Sequence, residues 1–280
     1  MTKQNKLVAP FLKWVGGKRQ LMSAIVQLLP KNIKELKYTE PFIGGGAVFF
    51  YLQPQKAIIN DCNQELINVY NVVKNQLEDL IIDLKKHENT SDYFYKIRGL
   101  DRLNTFNKLP ALQRASRVIY LNKTCFNGLY RVNNAGEFNA PFGRYKNPNI
   151  VNEPMLRAVN LFLNKSNVQI YNEDYSEILN KLDNKCFVYL DPPYHPVSES
   201  SNFTGYVQGG WNIYDQIRLK EACDLLTDKG IKFLLSNSFS PQILDLYNGY
   251  TINKVKANRS INSIGSERGE VDEVLIRNYE

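Results

Sequence analysis

The hydrophobic pattern of the chain changes twice between its ends. In the first sixty residues, short apolar runs alternate with segments of helical periodicity, the order expected of a parallel α/β unit. The middle keeps only the helical period, and the α/β alternation returns near residue 167. The predicted strands are 38–41, 56–60, 168–172, 186–190 and 231–235, with 250–257 and 271–279 as a closing antiparallel pair. The predicted helices are 19–29, 47–52, 63–74, 76–87, 91–103, 111–123 and 213–227.

This pattern predicts an α/β domain that is interrupted by a mainly helical insertion. Residues 1–62 and 167–280 are expected to form the α/β domain, which starts with the Rossmann-like order of strand, glycine-rich turn, helix, strand and acid. Residues 63–166 are expected to form the insertion. Within it, a run rich in Asn, Gly and aromatic residues predicts a β-hairpin at about 125–146.

Charge is distributed unevenly along the 280 residues, whose net charge is +7. Residues 1–60 carry nine basic and two acidic side chains, and residues 61–166 carry fifteen and ten. Residues 167–280 carry eleven and sixteen, so this part is net negative. A basic part beside an acidic part indicates a polyanionic partner that meets one face of the protein, whereas the total charge alone is equally typical of an ordinary soluble protein.

The composition excludes several classes of protein. Hydrophobic residues make up 43% of the chain and charged residues 22%, which is typical of a globular protein rather than a disordered one. The four cysteines form no C-x-x-C pair and the two histidines stand apart, so no metal site is predicted. His87 and His195 are interpreted as surface or loop residues. No membrane span or signal peptide is recognisable, which predicts a cytoplasmic protein with reduced thiols.

The strongest motif is Asp191-Pro192-Pro193-Tyr194, which follows an apolar run that is typical of a buried parallel strand. The carboxyl end of such a strand is where open α/β sheets bind their ligands. Prolines have no N–H donor but keep their carbonyls as rigid acceptors, and the tyrosine ring offers a stacking surface. This set suits a planar group that bears an NH2 and directs its lone pair at an electrophile. The alternative is a proline-capped strand followed by a turn.

Two weaker motifs come earlier in the chain. Glu40 to Gly46 places three glycines where a strand turns into a helix, which allows a ligand to approach the backbone. This run differs from the Walker and dinucleotide-binding patterns, and Asp61, after the next strand, is where a ribose-binding acid is expected. The second motif, Lys13 to Lys18, combines a tryptophan, two glycines and two lysines, which suit a small carboxylate and an aromatic ring. Each motif alone is equally typical of an ordinary loop.

Taken together and in order, the motifs resemble those of the Dam-type, alpha-group (D12 class) DNA N6-adenine methyltransferases. The resemblance spans nearly the whole chain. Its principal motifs are Lys13-Trp14-x-Gly16-Gly17-Lys18, Glu40-Pro41-Phe42-x-Gly44-x-Gly46, Asp61-x-Asn63, Phe126-Asn127-Gly128-Leu129-x-Arg131, Phe142-Gly143-Arg144-Tyr145 and Asp191-Pro192-Pro193-Tyr194. Further matches are Pro196-x-Ser198-x-x-x-x-Phe203-Thr204-x-Tyr206, Leu235-Ser236-Asn237, Arg259-Ser260-Ile261 and Val271-Asp272-Glu273.

The resemblance implies a monomeric bacterial or phage enzyme that methylates adenine N6 in double-stranded DNA, usually within GATC. It implies S-adenosylmethionine as cofactor and no metal, so the α/β part would be the SAM-binding catalytic domain and the insertion the target-recognition domain. The implied catalytic residues are Asp191, Pro192, Pro193 and Tyr194: the carboxylate and the first proline carbonyl would hold the amine of a flipped-out adenine, and the tyrosine would stack on it. The implied cofactor-binding residues are Trp14, Lys18, Phe42, Gly44, Gly46, Asp61, Asp174, Tyr175 and Asp191.

The resemblance also implies which residues of the insertion contact DNA. They are Arg98, Phe126, Asn127, Leu129, Arg131, Arg144 and Tyr145. Arg131 is expected to read a guanine, because a guanidinium matches the O6 and N7 acceptors of that base. Phe126 and Leu129 would brace the stack around the flipped base, and Arg98, Arg144 and Tyr145 would hold phosphates. Three other arginines of the insertion are interpreted as solvated surface charges: Arg102, Arg114 and Arg117.

Two other functions stay open on the sequence alone. One is a sequence-specific DNA-binding protein whose methylation site has decayed, and the intact motif from Asp191 to Tyr194 argues against it. The other is an amino-methyltransferase with a different target, such as another DNA site, cytosine N4, RNA or protein. The predicted hairpin in a basic helical insertion favours duplex DNA over these targets.

Overall fold

A seven-stranded sheet forms the centre of the fold. The computed structural model describes residues 4–195, 211–258 and 270–280. The strands are β1 Lys37–Glu40, β2 Lys56–Asn60, β3 Asn167–Tyr171, β4 Cys186–Leu190, β5 Lys232–Ser238, β6 Thr251–Asn258 and β7 Glu270–Arg277. Their order is β3-β2-β1-β4-β5-β7-β6, in which β1 to β5 are parallel and β7 is antiparallel to both neighbours. Two motif matches, 196–206 and 259–261, lie outside the described residues.

Ten α-helices accompany the sheet in the described ranges, and the periodicity predicted seven of them. They are α1 Met22–Leu28, α2 Ala47–Leu52, α3 Gln64–Asn75, α4 Leu77–Leu84, α5 Ser91–Arg98, α6 Ala111–Thr124, α7 Glu153–Lys165, α8 Tyr175–Asn180, α9 Ile213–Asp228 and α10 Pro241–Leu246. The sequence analysis missed α7, α8 and α10, and the predicted helix at 91–103 continues beyond α5 only as a 3-10 turn. None of the described helices has the length and apolarity to cross a bilayer.

Strand β4 lies between β1 and β5, and all five of its residues are buried. Its continuous apolar run suits a strand that is covered on both faces. Alternate residues enter two hydrophobic clusters, one on each face of the sheet: Phe187 belongs to one and Val188 to the other. The parallel register brings the carboxyl ends of β1, β2 and β4 to one edge of the sheet. Asp61 and Asp191 follow directly from β2 and β4, so the two predicted acids meet at that edge.

The antiparallel pair predicted near the C-terminus is confirmed. β6 pairs with β7 along eight positions, from Thr251↔Arg277 to Asn258↔Glu270. β7 also pairs with β5, where Ser238 lies opposite Glu273. The last strands therefore extend the parallel sheet and bring Glu273 toward the end of β5, next to the strand that carries Asp191.

Between β2 and β3 the chain forms α3 to α7 and a hairpin, as the loss of strand periodicity predicted. Antiparallel bridges Cys125↔Phe142 and Val132↔Phe138 join the arms of the hairpin, which confirms its predicted place. Helices α3 and α7 pack against β3, and one hydrophobic cluster joins this segment to a face of the sheet. The division of the chain at residues 63 and 166 into a catalytic domain and a recognition domain stays a prediction.

Candidate active site

The motif Asp191 to Tyr194 leaves β4 at the edge where the carboxyl ends of the parallel strands meet. The Asp191 side chain is partly accessible, at 21%. Its Oδ1 atom accepts a hydrogen bond from the Ser236 hydroxyl at 2.9 Å. The same oxygen lies 2.7 Å from the Lys18 ammonium. One carboxylate oxygen is therefore held by two donors.

Lys18 joins two motifs that are far apart in the sequence. Its side chain is only 6% exposed, and its Nζ atom donates to the Gly16 carbonyl at 2.6 Å as well as contacting Asp191. The ammonium also lies 4.7 Å from the centre of the Tyr194 ring, which is a cation–π distance. The implied role of Lys18 was to meet a cofactor carboxylate, and its partner in this structure is the carboxylate of Asp191.

Two side-chain amides hold the backbone of the motif from behind. Gln216, on α9, donates from Nε2 to the Pro193 carbonyl at 3.0 Å. Asn237, on β5, accepts from the His195 N–H at 3.2 Å and donates from Nδ2 to Gln216 Oε1 at 3.0 Å. Because both amides are fully buried, they hold the segment after β4 in a single path.

The tyrosine of the motif is fixed through its hydroxyl. Tyr194 donates to Glu273 Oε2 at 2.8 Å, so β7 anchors the ring that follows β4. Burial, with the nearby carboxylates of Asp191 and Glu273, raises the pKa of Tyr194 well above its ordinary value. The hydroxyl is therefore a neutral donor at neutral pH, and its ring orientation is set by a residue nearly eighty positions away.

The glycine turn between β1 and α2 lies directly beneath Trp14. Gly44 has φ +46°, and a Cβ built on it comes 2.8 Å from the indole Cδ1. Gly46 has φ +69°, and a Cβ there comes 2.8 Å from the Tyr70 hydroxyl. Both positions therefore require glycine, for conformation and for space. Asp61 fixes the turn because its Oδ2 accepts the Gly44 N–H at 3.0 Å.

Asp61 combines two structural bonds with partial access. Its Oδ1 accepts the Asn63 N–H at 2.9 Å while Oδ2 holds Gly44. Desolvation raises the pKa of this carboxyl, and the two backbone N–H bonds oppose the rise. A carboxylate oxygen has more than one lone pair, so Asp61 retains acceptor capacity for further hydroxyl groups.

Aromatic rings line the region beside Asp61. Phe42 lies 5.1 Å from Tyr175 and 5.7 Å from Trp211, measured between ring centres. Asp174 begins α8 and forms a two-point ion pair with Arg218 on α9, with its Oδ1 2.6 Å from the guanidinium. Burial raises the pKa of Asp174, but Arg218 and Ser176 outweigh it and hold the pKa below its ordinary value.

Glu40 and Tyr38 form a closed pair beneath the site. Glu40 is 3% exposed and accepts from the Tyr38 hydroxyl at 2.6 Å. Desolvation raises the pKa of Glu40 well above its ordinary value, and the tyrosine bond opposes that rise. Glu40 therefore supports the end of β1.

The hairpin presents two of its predicted DNA-binding residues to solvent. Phe126 is 55% exposed and Asn127, also exposed, has φ +58°. Leu129 is half-buried, whereas the neighbouring Tyr130 is buried and stacks on Trp14 with ring centres 4.7 Å apart. The hairpin and the loop that contains Lys18 are therefore in direct contact.

The predicted DNA-binding cations differ in their surroundings. Arg131 donates from Nε to Asn139 Oδ1 at 2.6 Å, across the hairpin, and Arg98 donates to the Ala140 carbonyl at 3.2 Å. Arg144 is exposed, with φ +54°. Tyr145 is half-buried, and the Lys13 ammonium lies 5.7 Å from the centre of its ring.

Comparison with known proteins places this site in a family. Residues 14–261 match the family described as D12 class N6 adenine-specific DNA methyltransferase. The chain belongs to this family. It is a DNA adenine methyltransferase, and its Rossmann-like methyltransferase fold agrees with that expected from the sequence.

Relatives of this methyltransferase cover nearly its whole length. The Type II methyltransferase M1.LlaDCHI of Lactococcus lactis subsp. cremoris is 42% identical, over 100% of this chain and 99% of the relative. The Type II methyltransferase M.MjaIII of Methanocaldococcus jannaschii is 44% identical, over 97% and 99%. The DNA adenine methylase of Escherichia coli K12 is 35% identical, over 95% and 93%.

Two arginines of the methyltransferase were wrongly interpreted as solvated charges. Arg117 is 5% exposed in its side chain and lies 2.7 Å from Asp101. Arg114 is largely buried and bonds Glu65. Arg102 is exposed, as expected, and donates to Asp101 at 2.8 Å and to the Phe138 carbonyl at 3.0 Å. No periodicity in the sequence distinguishes arginines on an exposed basic face from arginines whose side chains turn inward to helix ends and the hairpin.

His87 also differs from the simplest expectation. It follows α4 in a loop, as predicted, but its ring stacks on Tyr120 with centres 4.4 Å apart. Its nitrogens lie 3.0 Å from the Tyr93 hydroxyl and 2.9 Å from the Ser116 hydroxyl. Burial lowers the pKa of His87 to about 4, so the residue is a neutral part of the packing rather than a surface group.

Several residues of the site had no role in the sequence analysis. Ser236, Asn237 and Glu273 were recognised only as motif positions, and Gln216 was not recognised at all. Their signal was a polar residue at the end of a buried strand or on the inner side of a helix. Such positions need a partner, but a single sequence does not identify it.

Proposed function

We propose that this methyltransferase transfers a methyl group from S-adenosylmethionine to N6 of an adenine flipped out of duplex DNA, within GATC. The observation that carries the proposal is the arrangement of acceptors after β4. Asp191 Oδ2 and the Pro192 carbonyl have no donor among the described residues, while Asp191 Oδ1 and the Pro193 carbonyl are occupied. Two unoccupied acceptors match the two protons of an exocyclic amine.

The residues around Asp61 suit the proposed cofactor by their chemistry. Asp61 offers acceptor capacity for ribose hydroxyls, and the rings of Phe42 and Tyr175 offer apolar surface for an adenine. The buried Trp211 Nε1 has no hydrogen-bond partner in the described part of the chain, so a donor there is unsatisfied. S-adenosylmethionine, when bound, supplies an electrophilic methyl group.

The other proposed cofactor residues surround the glycine turn. Trp14 covers Gly44, and a side chain at Gly46 would collide with Tyr70 and Phe50. Lys18 would hold the carboxylate of the amino-acid moiety by exchanging its present contact with Asp191 for that anion. We propose that Asp174 and Tyr175 bind the adenine of the cofactor. In this structure the Asp174 oxygens are bonded to Arg218 and Ser176.

In the proposed reaction the protein orients the amine and excludes water. Asp191 and the Pro192 carbonyl would accept the two N6 protons, which directs the nitrogen lone pair toward the methyl donor. Tyr194 would stack on the adenine, with its ring already fixed by Glu273. Asp191 would stabilise the positive charge that develops on N6 as the nitrogen takes the methyl group and the sulfonium of the cofactor is left as a neutral thioether. One of the two N6 protons would then pass to solvent, so no covalent intermediate with the protein is required.

For DNA recognition we propose that the hairpin enters the duplex beside the target adenine. Phe126, Asn127 and Leu129 would brace the stack that the flipped base has left. Arg131 would read a guanine through the guanidinium edge that has no partner among the described residues, while Asn139 holds the other edge. Arg98, Arg144 and Tyr145 would contact phosphates. The GATC target rests on the resemblance of these motifs and on the guanine preference of an arginine.

The proposal is tested by methyl transfer to defined duplexes. The protein is incubated with labelled S-adenosylmethionine and matched duplexes that contain GATC, GTTC or GATG, and the products are digested with nucleases that distinguish N6-methylated GATC. We expect label in the GATC duplex alone. Label in GATG at the same rate would overturn the proposed site. Label on cytosine N4, or in single-stranded RNA, would overturn the proposed target.

A further inference from the structure

Two buried polar side chains, Ser236 on β5 and Gln216 on α9, lie directly behind the motif after β4. Both are fully buried, and each contacts an acceptor of the motif. Burying a polar side chain is unfavourable unless the side chain is hydrogen-bonded. The hydrogen bonds of these two side chains therefore explain why polar residues occur at these positions.

Proton counting assigns the direction of the bonds at Ser236. Its Oγ lies 2.9 Å from Asp191 Oδ1, 3.2 Å from the Tyr189 hydroxyl and 3.4 Å from the Leu190 carbonyl, so the carboxylate is the nearest acceptor. A serine has one proton, and an ionised carboxylate only accepts. Ser236 therefore donates to Asp191, and Tyr189 donates to Ser236. This buried chain fixes the rotation of the carboxylate, so that Oδ1 points into the protein and Oδ2 points away from Ser236.

Gln216 fixes the proline backbone of the motif in the same way. Its Nε2 donates to the Pro193 carbonyl at 3.0 Å, and its Oε1 accepts from Asn237 Nδ2 at 3.0 Å. With Asn237 also accepting the His195 N–H, Gln216 is itself held in one orientation. The Pro193 carbonyl is therefore occupied, and the Pro192 carbonyl is the proline acceptor that remains.

We propose that Ser236 and Gln216 are positioning residues that occupy Asp191 Oδ1 and the Pro193 carbonyl, leaving Asp191 Oδ2 and the Pro192 carbonyl as the pair that receives the target amine. This inference rests on the proposed function. It adds that, once Lys18 has exchanged its contact with Asp191 Oδ1 for the cofactor carboxylate, the choice between neighbouring acceptors is made by neutral buried donors from β5 and α9.

The chain offers a matched control for Ser236. Ser238 lies two residues further along β5, on the same face of the strand, and is 2% exposed. Its hydroxyl has no hydrogen-bond partner among the described residues. We expect Ser236→Ala to lower kcat by about tenfold or more, since it removes a bond to a charged group, while KM for DNA and the cofactor affinity stay within twofold. Ser238→Ala should leave kcat within twofold.

Gln216→Glu tests the second contact. The substitution keeps the size of the side chain and the acceptor for Asn237, but it places a carboxylate oxygen against the Pro193 carbonyl. We expect kcat to fall at least tenfold at pH 8 and to recover in part as the pH is lowered, because the protonated acid again donates to that carbonyl. The wild-type enzyme should show no such recovery.

The outcomes separate this inference from the proposed function. Asp191→Ala is assayed in parallel, and thermal unfolding establishes that every variant is folded. If Asp191→Ala is inactive while Ser236→Ala matches Ser238→Ala and Gln216→Glu matches the wild type, the inference is overturned and the proposed function stands. An equal fall of kcat in both serine variants would also overturn it, because the loss would then follow burial. If Asp191→Ala retains activity, the proposed function fails first.

Discussion

The catalytic edge, comprising 191–195 and the residues that support it, is held by different means from the hairpin at 125–142. At the catalytic edge the supports are mainly neutral and fully buried: Ser236, Asn237 and Gln216. The hairpin is held largely by charged side chains. The difference places a fixed network around the carboxylate that we propose receives the amine, and charged supports beneath the surface that we propose contacts DNA.

The charged supports act on the second arm of the hairpin. Asp101 accepts the Phe138 N–H at 2.7 Å, and Arg102 donates to the carbonyl of the same residue at 3.0 Å. Arg98 donates to Ala140, the next residue on that face of the arm. Side chains from α5 and the turn after it therefore satisfy backbone groups that a neighbouring strand would otherwise pair. The arginines of this segment are thus divided between those that hold the hairpin and those proposed to contact DNA.

The largest expected effect concerns the catalytic edge. Asp191→Ala should lower kcat by about 10³-fold or more, because the variant loses both the amine acceptor and its charge. DNA affinity should stay within threefold, as measured by fluorescence anisotropy of a labelled duplex in the presence of cofactor. An equal loss of DNA binding would mean that Asp191 supports the fold, and the contrast between the two regions would be lost.

The next effect concerns the base of the hairpin. Arg117→Met should lower the free energy of unfolding by about 3 kcal/mol, because it leaves the buried Asp101 carboxylate without its closest cation. The matched control is Arg157→Met on α7, whose ion pairs with Glu78 and Glu153 are exposed to solvent, so this variant should change the free energy of unfolding far less than Arg117→Met does. Urea unfolding measures both. Equal values would show that Arg117 is no more important than a surface cation.

A smaller effect is expected at the reading surface. Arg131→Ala should reduce discrimination at one base pair of the site by about 1–3 kcal/mol and leave stability unchanged, because its contacts are local to the hairpin. Arg144→Ala is the control and should weaken all duplexes alike, with a shallower salt dependence. Competition binding with single-base variants of the site measures both. Uniform weakening by Arg131→Ala would make it a phosphate contact.

The smallest effect concerns pH. His87 is neutral in the fold because burial lowers its pKa to about 4, whereas an unfolded histidine titrates near about 6.5. Between these pH values the unfolded state binds more protons than the folded state. The stability of the fold with a neutral His87 is therefore fully present above about pH 6.5 and is lost as the pH falls toward 4. When the pH is lowered from 7 to 5, the free energy of unfolding should fall by about 1 kcal/mol less in His87→Gln than in the wild type, as measured by urea unfolding. An identical pH dependence would contradict the assignment.

Sequence reasoning succeeded where chemistry and periodicity coincide. The parallel strands, the C-terminal antiparallel pair and the motif from Asp191 to Tyr194 were all predicted, because apolar runs and special residues mark them directly. The short helix α8 was missed, since one and a half turns give too few residues for a period. Arg117 was misjudged because its burial depends on Asp101 and on carbonyls at the end of α5.

The partners within the site were beyond a single sequence for the same reason. Ser236 lies 45 residues from Asp191, and Glu273 lies 79 residues from Tyr194. These contacts exist because β5 lies beside β4 and β7 lies beside β5, and sheet order is a tertiary property. The motif positions could be recognised in the sequence, but the residues with which their side chains form hydrogen bonds could not.

The stack of Trp14 on Tyr130 gives the protein an intrinsic optical reporter. The chain contains only two tryptophans, and the other, Trp211, lies beside Phe42 and Tyr175. In a Trp211→Phe variant, all indole emission would come from a ring that lies between the glycine turn and the hairpin. Stopped-flow recording of that emission would then time how quickly each substrate enters, without any attached dye.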